Sequence, residues 1–158
     1  MTNLNEADFK DRDADGFRVR RARLAQQAGA TKLGVSLWEI PPGEAAYPYH
    51  WHVIDEEVVV VLDDGLCLRG PDHKWRSLLE GEVIAFPVGE DGGHQLWNRG
   101  DSTARFLSIS SGPSEGEDIV IYPDSGKVGV YSDSVYELYP RDSAVDYWDG
   151  ETPPTASP

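Results

Sequence analysis

The chain has 158 residues, which suits one domain and would cramp two. Its formal net charge of −14 at pH 7 argues against binding to nucleic acid or to an anionic membrane surface, and no stretch is apolar for long enough to span a bilayer. The single cysteine, Cys67, excludes an intrachain disulfide, and with no apolar leader in MTNLNEADFK the reading is a cytoplasmic protein.

Taken in chain order, residues 1–15 are polar and aperiodic and are expected to form a mobile arm. One domain is expected over 16–151, and a disordered tail over 152–158. Residues 18–24 can form a strand, although Arg20 and Arg21 spoil its alternation. Residues 32–40 alternate well, with Leu33, Val35 and Leu37 on one face and Ser36, Trp38 and Ile40 on the other. Pro41-Pro42-Gly43 ends that run. Further short strands are predicted over 57–62, 66–69, 75–79, 83–86, 94–98 and 104–110, separated by Asp-Gly and Gly-Pro turns. Cys67, in the Leu66-Cys67-Leu68 run, is expected to be a small buried apolar residue. No amphipathic helix pattern follows Ala30. Many short strands at close spacing indicate a sandwich or barrel.

The chain holds four histidines: His50, His52, His73 and His94. His50 and His52 stand at i and i+2, which on a strand places both rings on one face. A lone His-x-His is often two solvated side chains. Here, however, Glu56 and Glu57 follow closely, and His94 precedes another strand. Imidazoles plus a carboxylate suit Zn, Fe, Mn, Ni or Cu with positions left open for water or substrate. Simple alternation from His52 points Glu56 inward. A bulge at Val53-Ile54-Asp55 would reset the phase and favour Glu57. His73, in a Gly-Pro-Asp turn, is expected to be a solvated loop residue. Trp38, Trp51, Trp97 and Phe86 are expected in the core or barrel wall, and Tyr47 and Tyr49 can border a pocket mouth.

Two spaced patterns go further. The first is Gly43, six residues, His50-x-His52, then Glu56 or Glu57, and Gly65. The second is Gly81, five residues, Pro87-x-Gly89, four residues, His94, three residues and Asn98. Together they resemble the two motifs of the cupin superfamily. Segments around Arg20–Leu24, Tyr122–Val130 and Asp146–Glu151 are similar to a subgroup of small single-domain, uncharacterised cupins. The spacings depart from the motifs by one residue before His50, one before Gly65 and two before His94.

The resemblance implies an all-β fold, a double-stranded β-helix or jelly-roll barrel. It also implies one divalent metal ion (Zn, Fe, Mn or Ni) held by His50, His52, Glu57 and His94. Activities consistent with it are those of dioxygenases, decarboxylases and sugar-phosphate isomerases. A non-catalytic barrel binding a sugar or carboxylate, and a purely structural metal site, are the alternatives. The basic residues noted in the barrel, Arg69, Lys74, Arg76, Arg99 and Arg105, lie mostly near turns, which weakens the case for a phosphosugar. The partner is expected to be a small molecule, and edge strands of such barrels suggest a homodimer.

Overall fold

Alternating apolar side chains, punctuated by turn glycines, make strand the main regular structure of this chain. The structure, a computed structural model, describes residues 3–112, 117–132 and 134–154. Residues 155–158 of the expected tail lie outside the described residues.

Three antiparallel sheets carry the fold. The six-stranded sheet contains β1 (Lys10–Arg12), β2 (Val19–Arg23), β3 (Gly34–Ile40), β5 (Glu57–Val61), β8 (Val83–Phe86) and β10 (Ala104–Ser110). Their order across the sheet is β1-β2-β3-β10-β5-β8. A four-stranded sheet runs from the edge strand β13 (Tyr136–Pro140) through β12 (Lys127–Tyr131) and β11 (Asp118–Tyr122) to β4 (Trp51–His52). A three-stranded sheet places β6 (Leu66–Arg69) between β7 (Trp75–Ser77) and β9 (Gln95–Asn98). One short helix, α1 (Leu24–Gln27), follows β2. The arrangement is the double-stranded β-helix expected from the sequence. Lys10–Arg12, within the segment expected as an arm, pairs antiparallel with Val19–Arg21.

The core explains where the site can be. Trp38, Ile40, Val59, Val61 and Phe106 of the six-stranded sheet pack against Leu66, Leu68 and Leu96 of the three-stranded sheet. Phe106 stacks on Trp38 with centroids 5.8 Å apart. Cys67 is buried, and its sulfur lies 3.9 Å from Ser77 Oγ. No residue of the four-stranded sheet belongs to this apolar cluster. That sheet faces a cavity instead, so the barrel is divided into a dry half and a polar half. No helix among the described residues is long and apolar enough to cross a membrane.

Candidate metal centre

The histidines reach one another because two chain segments pair out of step. Isolated bridges join Ala45 to Trp97 and His50 to His94, so the four residues 46–49 stand against the two residues 95–96. Such a bulge accounts for the extra residue before His50 and turns Tyr47 towards the cavity. The longer gap before His94 is filled by a 3-10 turn over Glu90–Gly92. On the other side, β4 ends at His52 and β5 begins at Glu57, with no strand between. The broken strand resets the phase, so that Glu57 lines the cavity and Glu56 is exposed.

His50, His52 and Glu57 each offer one ligand atom, and these atoms lie within 4.8 Å of one another. His50 Nε2 is 3.0 Å from His52 Nε2. Glu57 Oε2 is 3.2 Å from His52 Nε2 and 3.2 Å from His94 Nε2. The opposite nitrogen of every ring is occupied. His50 Nδ1 lies 3.0 Å from the Pro48 carbonyl oxygen, His94 Nδ1 lies 2.8 Å from the Gly92 carbonyl oxygen, and His52 Nδ1 meets Asp118 Oδ2. A carbonyl accepts only from an N–H, so His50 and His94 carry their proton on Nδ1 and turn a bare Nε2 lone pair inward. His94 Nε2 is buried and makes no hydrogen bond, because the atom it faces is a carboxylate oxygen, itself an acceptor. The inward lone pairs of His50 and His94, converging with the Glu57 carboxylate, fit a divalent cation in place of a proton on His52.

Burial lowers His50 well below the usual imidazole range, and His94 and His52 push it further down. For Glu57, burial opposes ionisation, yet the hydrogen bond to His52 holds it well below the usual carboxylate range. Burial also opposes charge on His52, but its hydrogen bonds to Asp118 and Glu57 outweigh that and raise it to about 10. A proton on His52 therefore holds the cluster together when no other cation does.

Aromatic rings wall the centre. Phe86 stacks on His94 with centroids 3.9 Å apart, and Tyr47 stands edge-on to His50 at 4.8 Å and to His94 at 5.5 Å. Tyr122 lies across His50 at 5.8 Å, and its hydroxyl is 2.9 Å from that of Tyr131. The cavity has a volume of about 500 Å³, in the range of small-molecule sites. Trp38 and Tyr47 line it, whereas Phe86, Trp51, Trp97 and Tyr49 do not. Tyr49 is buried elsewhere, beneath the Arg69 guanidinium. His73 is an exposed loop residue 3.1 Å from Arg69 and stands outside the cluster, as expected.

Sequence reading missed Asp118, Asp55 and Tyr122, all of which line the cavity, and Tyr131 and Tyr136 with them. It also named Arg69, Lys74, Arg76, Arg99 and Arg105 as the basic residues of the barrel, and none of these lines the cavity. Arg12, Arg21 and Arg23 line this cavity from β1 and β2. The only signal for them was the disturbed alternation at Arg20-Arg21.

Residues 36–110 match the family described as Cupin domain. No curated protein matches the chain. A sugar phosphate isomerase of the cupin superfamily from Silicibacter pomeroyi superposes with a TM-score of 0.80 at 24% identity, covering 94% of this chain and 98% of its own. A candidate sugar phosphate isomerase from Acidithiobacillus ferrooxidans gives 0.79 at 22% identity, covering 92% and 95%. A polyketide cyclase from Streptomyces resistomycificus gives 0.57 at 23% identity, covering 70% and 77%. At these identities the likeness is one of fold.

Proposed function

We propose that this chain, whose residues 36–110 match the cupin domain family, is a metal-dependent enzyme acting on a small molecule, with one divalent ion held by His50, His52, Glu57 and His94. The observation that carries this reading is the convergence of Nε2 atoms and Glu57 Oε2 while each Nδ1 is tied to an oxygen. An ion there supplies Lewis acidity towards a substrate oxygen, or oxygen chemistry if it is iron.

The chain's own residues set the rest. Asp118 orients His52, and the rings of Phe86 and Tyr47 shield the centre from water. Isomerisation of a sugar phosphate, the activity named for the two structures of highest similarity given above, is the finer reading. It requires a group that moves a proton between neighbouring carbons. Asp55 lines the cavity and is the candidate, since burial, with Asp118 adding to it, pushes its carboxyl up from the usual range. Tyr122 is also pushed up, by burial and by its contact with Tyr131, so it stays neutral and shares a hydrogen bond with the Tyr131 hydroxyl.

Elemental analysis of protein purified without added metal tests the reading. Wild type and Glu56→Gln should carry close to one ion per chain, and His50→Ala and Glu57→Gln almost none. A wild-type protein that binds no divalent ion, or a Glu57→Gln protein that retains it in full, defeats the proposed ligand set. Substrate binding without turnover would reassign the protein as a binding module.

A further inference from the structure

Five arginines of this fold are paired with acidic side chains, and Arg21 is not one of them. Arg18, Arg20, Arg69, Arg76 and Arg105 each meet a carboxylate oxygen within 2.8 Å. Arg21 points the other way from Arg20, into the cavity that holds the histidine cluster. Its guanidinium lies 4.9 Å from the Trp38 ring centroid, and its Nε donates to Ser36 Oγ at 3.0 Å. Among the described residues no carboxylate meets its terminal nitrogens.

Arg12 and Arg23 line the same cavity, so three of the chain's 14 cationic side chains gather there in a protein of net charge −14. Burial, with the nearby charge of Arg23, pushes Arg21 down to about 10, which still leaves it charged at neutral pH. A partly buried charge without a counter-charge is costly, and a ligand anion removes that cost. The stack on Trp38 and the Ser36 bond fix the plane of the guanidinium and leave the outer N–H fork free for bidentate contact.

The position of Arg21 sets the shape of the ligand. Arg21 is on β2 and Glu57 on β5, with β3 and β10 between them in one sheet. Three strand spacings of about 4.8 Å separate the two strands by about 14 Å. Between the two poles β10 offers the Ser108 and Ser110 side chains to the same cavity. We propose that Arg21, supported by the charge of Arg12 and Arg23, is the anion-binding pole of this cavity. The ligand then carries a phosphate or carboxylate at one end and an oxygen-bearing, metal-seeking group at the other, with hydroxyls between. The second half of that description rests on the metal reading above, whereas the anion pole does not.

Calorimetric titration of the full-length protein separates the two. The protein is used as purified and after removal of metal by chelator and dialysis. Inorganic phosphate, malonate, a hexose 6-phosphate and the free hexose are the probes. Phosphate should bind both protein forms, and Arg21→Met should weaken phosphate and hexose phosphate at least tenfold in both. Arg21→Lys, which keeps the charge and loses the fork, should fall between. Phosphate and malonate rank the two anionic headgroups, and a preference for either supports the pole. The metal-free Arg21→Met protein should melt no lower than wild type, because an unpaired charge has gone. Unchanged phosphate affinity in Arg21→Met, or in Arg21→Lys should the first variant not fold, overturns the proposal. Failure of wild type to bind metal, with phosphate binding still dependent on Arg21, sinks the metal reading alone.

Discussion

Three imidazoles can share one small volume only if each is told which nitrogen to present. Two are instructed by backbone carbonyls close in sequence, Pro48 for His50 and Gly92 for His94. The third instruction comes from Asp118, 66 positions away from His52. No local pattern could reveal that contact, whereas His50 and His52 stood out by their spacing and His94 by the resemblance of its motif. Asp118→Asn keeps the size of the side chain and removes its charge. It should lower divalent-metal affinity roughly 10- to 100-fold, as losses beside a metal ligand do, and competitive titration against a chelating dye would measure it. An unchanged affinity would mean that Asp118 merely fills space. His52 also fixes a pH dependence. Its folded value, about 10, lies above the ordinary 6.5. The stability it lends the metal-free protein is therefore complete below pH 6.5 and disappears as pH rises through about 10. Melting temperature should fall across that window in chelated protein. With metal in place, the ion does the work of the proton, and the curve should be flatter.

At the scale of elements, the dry half of the barrel is what holds the polar half open. Phe106 is fully buried between Trp38 and the three-stranded sheet. Removing its ring leaves a cavity that a two-sided β-core closes poorly. Phe106→Ala should cost about 3–5 kcal/mol, read as a lowered denaturant midpoint with the slope unchanged. A loss below about 1 kcal/mol would show that the barrel collapses to fill the gap. Asn98 and Gly65 tie the same region. Asn98 Nδ2 donates to the carbonyls of Ile40 at 2.7 Å and Ser102 at 2.8 Å. Gly65 adopts φ +99°, and a Cβ there would stand 3.2 Å from Asn98 Oδ1. Both residues were visible as motif positions, and their structural reason is this close approach. Strand positions from 32 to 110 were legible to within two residues, because one face of each strand is dry and turns follow at glycine. The strands β11, β12 and β13 were not read. Every residue of β13 is exposed, which erases the two-residue alternation, and β12 is interrupted by Gly129. The broken strand between His52 and Glu57 was foreseen as a bulge, and it is what separates Glu57 from Glu56.

For the whole molecule, charge and apolar surface pull in opposite directions. A net charge of −14 makes two copies repel. Yet β13 is an unpaired sheet edge that exposes Tyr136, Leu138 and Tyr139, and the chain beyond it exposes Val145, Tyr147 and Trp148. Edges of that kind pair with a second chain unless something blocks them. At physiological ionic strength, exposed charges more than about 8 Å apart are largely screened. Each large apolar side chain that becomes buried contributes about 1.5–3 kcal/mol. Several such side chains on one edge therefore outweigh a repulsion spread over the whole surface, and a homodimer is the expected state. Light scattering at 0.15 M salt should give a mass near twice 17.5 kDa. The dimer should loosen as salt is withdrawn, because the repulsion then acts unscreened while the apolar term changes little. Leu138→Lys puts a charge on the exposed edge and should shift the population towards monomer without lowering the melting temperature. A wild-type monomer at every salt concentration would remove the expectation. A dimer indifferent to Leu138→Lys would move the interface to another edge, of which β8 in the six-stranded sheet, with Val83 exposed, is the next candidate.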